Sequence, residues 1–229
     1  MINLNEIIEH FLDEAVLQQK SECEEQDKIA IEAINNREIA YDDRKNKLSR
    51  WLKDYGVFQG LNKNDRVNVV KNLIKYADNS DLNKDIYEKE IIDEFLYIKK
   101  LLNTSVRLKK DGTHRNLTSL SSKSLWLCYP SSVPMFDSFA QRALWIISRL
   151  DRNGASYPRT NSASTYIDFC SIWFYIYRTV EFDKISIDAY PYKVRVFDKI
   201  LWIIGQPDYG RIPYRPPAAE TRLHRTQTA

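Results

Sequence analysis

Apolar residues return every three or four positions along most of this chain, the spacing of one face of an α-helix. Ile2, Leu4, Ile7, Ile8, Phe11, Leu12, Ala15 and Val16 predict a helix opening close to Met1. A charged helical stretch from about 25 to 55 follows, with Ile29, Ile34, Ile39, Leu48, Trp51 and Leu52 on its apolar side. Gly56 is its expected left-handed cap. Asn62 or Asn64 caps the next helix, which turns Val67, Val70, Leu73, Ile74 and Ala77 inward. Another runs from about 84 to 102, with Tyr87, Ile91, Ile92, Phe95, Ile98 and Leu102 in phase.

Residues 103–119, NTSVRLKKDGTHRNLTS, break the rhythm. Helices are expected again at about 119–129, 137–150, 162–179 and 191–204, the last ended by Gly205. Residues 206–229 are Pro-rich and basic and read as an extended tail. With 6 Gly and 8 Pro in 229 residues, the turn residues that many short strands require are missing. The expectation is an all-α fold with three regions: an acidic helical one at 1–102, a second helical one at 103–205, and the tail at 206–229.

Composition sharpens this in two places. Hydrophobic residues at 43% and charged residues at 28% are globular values, so a packed core is expected rather than a disordered chain. The formal charge of +3 divides unevenly: residues 1–102 hold 16 Lys/Arg against 21 Asp/Glu, and residues 103–229 hold 18 against 10. A polyanionic partner is therefore expected on the second half. Cys23, Cys128 and Cys170 show no paired spacing, which fits a reducing compartment and excludes a disulfide framework. No apolar run is long enough to span a bilayer, and the amphipathic, acidic N-terminus is unlike a secretory signal. The expected location is cytoplasmic, with no membrane partner. Three histidines give no metal site, and no cofactor is expected.

Residues 121–145, SSKSLWLCYPSSVPMFDSFAQRALW, carry the chemistry. Pro130 ends one helix, Pro134 holds a loop, and Asp137 stands where a helix N-cap belongs. Lys123 is expected in the first turn of the preceding helix. Antiparallel packing of the two helices would bring it to the same end as Asp137. Trp126, Tyr129, Phe136, Phe139 and Trp145 offer an apolar setting that would lower the pKa of a lysine and make it a nucleophile. A carboxylate on a helix N-terminus stays ionised and can face a developing cation.

This segment resembles the catalytic core of the helix-hairpin-helix DNA glycosylases, nearest the bacterial 8-oxoguanine-glycosylase-like branch with its S-K-x-L-x-x-x-x-P-x-x-x-P-x-x-D-S run. Ser122, Lys123, Leu125, Pro130, Pro134, Asp137 and Ser138 match it. The late run VRVFDKILWIIG at 194–205 is similar to that branch's closing helix. The resemblance implies an all-α helix-hairpin-helix bundle that excises a damaged or modified base from DNA. Lys123 would attack the sugar C1′ and Asp137 would stabilise the cationic sugar. Where the family carries an L-P-G-x-G-like turn, this chain reads RNLTSLSSK, so Arg107, Lys109, Lys110 and Arg115 are the expected phosphate contacts. Base removal needs a pocket for the extruded base. Trp126, Phe136, Phe169 and Trp173 are its candidate walls, with Tyr166, Phe174 and Tyr177 nearby. The alternative reading is a non-catalytic DNA-binding or protein-interaction module on the same fold.

Overall fold

The computed structural model describes residues 4–82, 84–150, 166–187 and 190–206. Helices dominate, and no strand occurs among the described residues. In chain order they are α1 (Leu4–Gln18), α2 (Glu24–Asn35), α3 (Tyr41–Asp54), α4 (Lys63–Asn79), α5 (Glu88–Ser105), α6 (Thr118–Cys128), α7 (Ser138–Leu150), α8 (Tyr166–Thr179) and α9 (Lys193–Ile204). The tail expected at 206–229 lies outside the described residues apart from Gln206, as do the expected helix starts at Ile2 and 162.

Local chemistry explains several boundaries. The side chain of Asn62 accepts the Asp65 N–H at 2.9 Å and so starts α4. At the end of α3, Gly56 sits at φ 69°, its N–H bonding Lys53 O while the Val57 N–H bonds Leu52 O. This is the Schellman arrangement, in which a left-handed residue lets two terminal carbonyls find donors. The single helix expected over 25–55 is two. Asn36 leaves the helical region, its side chain accepts the Glu38 N–H at 2.9 Å, and helix resumes at Tyr41. An Asx turn competes with the helix there, and the apolar spacing does not register it. Between α1 and α2 lies a π-helical turn, Gln19–Cys23, which rotates the residues that follow.

Two helices occupy the middle. In α9, Val194 through Leu201 are all buried, and α9 packs between α7 and α1. In α6, Leu120 through Cys128 are all buried, and α6 lies against α5 and α2. One apolar cluster, from Ile7 and Phe11 through Trp51 and Trp126 to Trp173 and Phe197, draws on both halves of the sequence. Gly205, at the end of α9, has an ordinary φ of −82°. Its lack of a Cβ serves packing instead, because a Cβ there would stand 1.8 Å from the carbonyl oxygen of Phe139 in α7. No described helix is long and apolar enough to cross a membrane. All three cysteines are free, with Cys128 and Cys170 in the core.

Candidate functional site

A helix buried all round should carry no charge, because an unpaired charge in the interior is strongly disfavoured. The two central helices break this rule only along one wall. Lys123 of α6 and Arg195, Asp198 and Lys199 of α9 are all buried, and all four line one cavity of about 500 Å³. Asp137, at the start of α7, lines it too. Lys123 and Asp137 therefore meet at one cavity, although α6 and α7 are not close packing partners. The loop between them folds back instead: the Phe136 N–H donates to Ser122 Oγ at 3.0 Å, beside Lys123. Lys123 stands in the second turn of α6, not the first, because the helix opens at Thr118 and its buried face includes the lysine.

Asp137 is the N-cap expected of it, its Oδ1 accepting the N–H groups of Phe139 at 2.8 Å and Ala140 at 3.0 Å. Lys123 Nζ makes a long contact of 3.5 Å to the Tyr55 carbonyl and lies 5.8 Å from the centre of the Tyr55 ring. Burial holds the lysine below its ordinary pKa, and the nearby Asp137 only partly restores it. Asp198 is locked by two donors, the Met135 N–H and the Trp173 Nε1–H, each at 2.8 Å. Burial pushes its carboxyl up to about 7, against the pull of Arg195.

The far wall comes from the first half of the chain. Glu22 and Cys23 leave the π-helical turn, Tyr55 and Gly56 leave the end of α3, and all four face the cavity. Behind them sits Asp27, which has no exposed surface. Its Oδ1 accepts from Trp51 Nε1 and the Tyr55 hydroxyl, each at 2.8 Å; its Oδ2 accepts from Gln19 Nε2 at 2.8 Å and the Tyr190 hydroxyl at 2.9 Å. Arg195 Nη2 donates to the Tyr55 oxygen at 3.1 Å, so arginine, phenol and carboxylate form a short relay. Arg195 Nε stays 4.0 Å from Asp27 Oδ2, an ion-pair separation too long for a hydrogen bond. Burial works against the guanidinium's charge, but Tyr55, Asp27 and Asp198 outweigh it and hold its pKa above the usual value. Tyr55 also begins an aromatic ladder: it stacks on Trp51 at 4.0 Å, and Trp51 lies parallel to Trp126 at 5.9 Å.

The remaining expected residues lie elsewhere. Trp126, Phe169 and Trp173 have no exposed surface, Phe136 packs edge-on against Phe169 at 5.1 Å, and none of the four lines the cavity. The expected aromatic base pocket is thus core packing, made by rings whose faces are already covered by other rings. Tyr166, with its hydroxyl on the Pro134 carbonyl at 2.8 Å, helps seat the loop instead. Arg107, Lys109 and Lys110 are exposed and Arg115 is half-buried, all outside the cavity lining. Periodicity alone does not single out Tyr55, Asp27 or Arg195. A sequence signal for part of this existed, however: Arg195, Asp198 and Lys199 share one face of an otherwise apolar run at i, i+3 and i+4.

No group of three or more metal-ligating side chains gathers among the described residues. No family model matches the chain, and neither a curated protein nor a solved structure matches it.

Proposed function

We propose that this protein excises a base from DNA, with Lys123 as the nucleophile and Asp137 as its electrostatic partner. The observation that carries the reading is the meeting of a buried, pKa-depressed lysine and a helix-capping carboxylate in one cavity. A neutral amine at Lys123 can attack the sugar C1′. The new C–N bond forms as the glycosidic bond breaks, its electron pair and a proton going to the departing base. The cation that builds on the sugar faces Asp137, whose charge is held in place by two helix amides. The remaining amine proton passes to the ring oxygen as the C1′–O4′ bond breaks, which leaves an imine that borohydride reduces to a permanent link.

The test is borohydride trapping against duplex and single-stranded oligonucleotides that carry different modified bases. An adduct with the wild-type protein, lost in Lys123→Gln, is the expected outcome. Asp137→Asn keeps a good N-cap, so melting shifts little while excision falls on the order of a hundredfold or more. No adduct and no base release on any oligonucleotide would overturn the reading. The run RNLTSLSSK, without the family's glycine turn, favours the second reading of a non-catalytic nucleic-acid-binding module. That module would bind the same oligonucleotides and trap none.

A further inference from the structure

We infer that the turn joining α3 to α4, within the acidic half of the chain, is the surface on which the nucleic-acid backbone docks. This rests on the proposed reading that the ligand is a nucleic acid. The turn starts at the cavity, since Tyr55 and Gly56 line it. It then runs outward to Gly60, where Arg115 lies with its Nη1 3.2 Å from the place a Cβ would occupy. Between these points lies a depression of about 370 Å³ on Phe58 and Leu61, bordered by Lys53, Lys63 and Arg66 and by no acid. A second, of about 500 Å³, shares Lys63 and adds Arg107, with the buried Asp65 in its wall.

The acids beside this field are buried and bonded, or face elsewhere. Asp65 is 2% exposed and takes bonds from Asn62 Nδ2 and the Arg107 N–H. Asp54 faces the cavity instead. One of the guanidiniums is fixed in advance: Arg66, by a 2.9 Å bond to the Leu61 carbonyl and its place over the Phe58 ring. A guanidinium already fixed loses little freedom on taking a phosphate oxygen. The outcome is a basic ridge leading from the loop at 107–115 to the mouth that holds Lys123. A charged backbone laid along it would deliver one nucleotide to the cavity. The acidic totals of residues 1–102 conceal the ridge, because charge summed along the sequence ignores which side chains share a surface.

The experiment uses the full chain, a fluorescein-labelled duplex and the matching single strand, with anisotropy read across a KCl series. Lys53→Glu/Lys63→Glu changes two exposed side chains outside the cavity. Binding should weaken about tenfold or more, and the slope of log affinity against log salt should flatten by about 2. Lys89→Glu/Lys184→Glu makes the same charge change at exposed positions of α5 and of the turn after α8. It should leave binding within about twofold, as screened, distant charges do. A ridge variant that binds like the wild type, with trapping intact, overturns the docking surface alone. A wild-type protein that binds neither oligonucleotide overturns both this inference and the excision reading. Displacement by polyglutamate as effective as by unlabelled duplex would make the partner an acidic protein, and overturns it too.

Discussion

Replacing Asp27 offers the sharpest check on how the cavity wall is held. Asp27→Ala removes the common acceptor of Gln19, Trp51, Tyr55 and Tyr190 and the carboxylate nearest Arg195. A hydrogen bond to a charged group contributes about 1.5–3 kcal/mol, and a buried donor left alone costs about 1–3 kcal/mol. The four bonds share one carboxylate and do not add, so about 4–6 kcal/mol is expected for the alanine variant. That is a large part of the stability of an ordinary domain. Asp27→Asn separates geometry from charge. Its oxygen can still accept from Trp51 and Tyr55, the Tyr190 hydroxyl can rotate to accept, and Gln19 can flip to present Oε1, which has no hydrogen-bond partner as placed. What is lost is the charge facing Arg195, about 2–3 kcal/mol. Urea midpoints at one temperature measure both variants, with the slope checked for constancy. An alanine variant within about 1 kcal/mol of the wild type would refute the hub, since a single orphaned donor should exceed that. An asparagine variant as unstable as the alanine one would refute the division between bonds and charge.

Three further changes probe the α7–α9 contact, the α3 cap and the buried carboxylate of α9. Gly205→Ala drives a methyl into the Phe139 backbone, where nothing flexible can yield, and should destabilise by about 2–3 kcal/mol or more in thermal melts; an unchanged melt would mean that α7 and α9 part freely. Gly56→Ala places a side chain at φ 69° and should cost about 1–2 kcal/mol without altering the helical circular dichroism. Asp198 has a folded pKa of about 7 against an ordinary 3.8, so the folded chain keeps a proton that the unfolded chain releases. Its contribution is present at low pH and is lost as pH rises from about 4 to about 7. The urea midpoint of the wild type relative to Asp198→Asn should fall across that window, and a flat difference would contradict the raised pKa.

Caps proved legible in the sequence because they are local. Gly56 and Asp137 each act on amides or carbonyls within a few residues, so type and position suffice, whereas the α4 cap is narrowed only to Asn62 or Asn64 and the Asp65 N–H decides for Asn62. The all-helical character followed from the same short-range periodicity. The break at Asn36 is invisible to periodicity because an Asx turn leaves the apolar spacing intact on either side. Lys123 and Asp137 were placed at one site by their motif, and both line one cavity. The aromatic residues are ambiguous in sequence: Trp126, Phe169 and Trp173 are apolar enough for a pocket and equally for a core, and only packing decides. Asp27 and Arg195 lie 168 positions apart, and no local pattern links two charges at that distance.

The ladder from Tyr55 through Trp51 to Trp126 gives the protein an optical property. Two parallel indoles under 6 Å apart couple their excited states, which should appear as a paired band in near-ultraviolet circular dichroism. Light absorbed by Tyr55 passes down the stack, because the phenol lies directly on the first indole. The ring at the head of the stack belongs to the cavity wall, whereas Trp126 at its foot sits deep in the core. A ligand that touches Tyr55 should therefore change how much phenol-absorbed light reappears as tryptophan emission, a readout that needs no label.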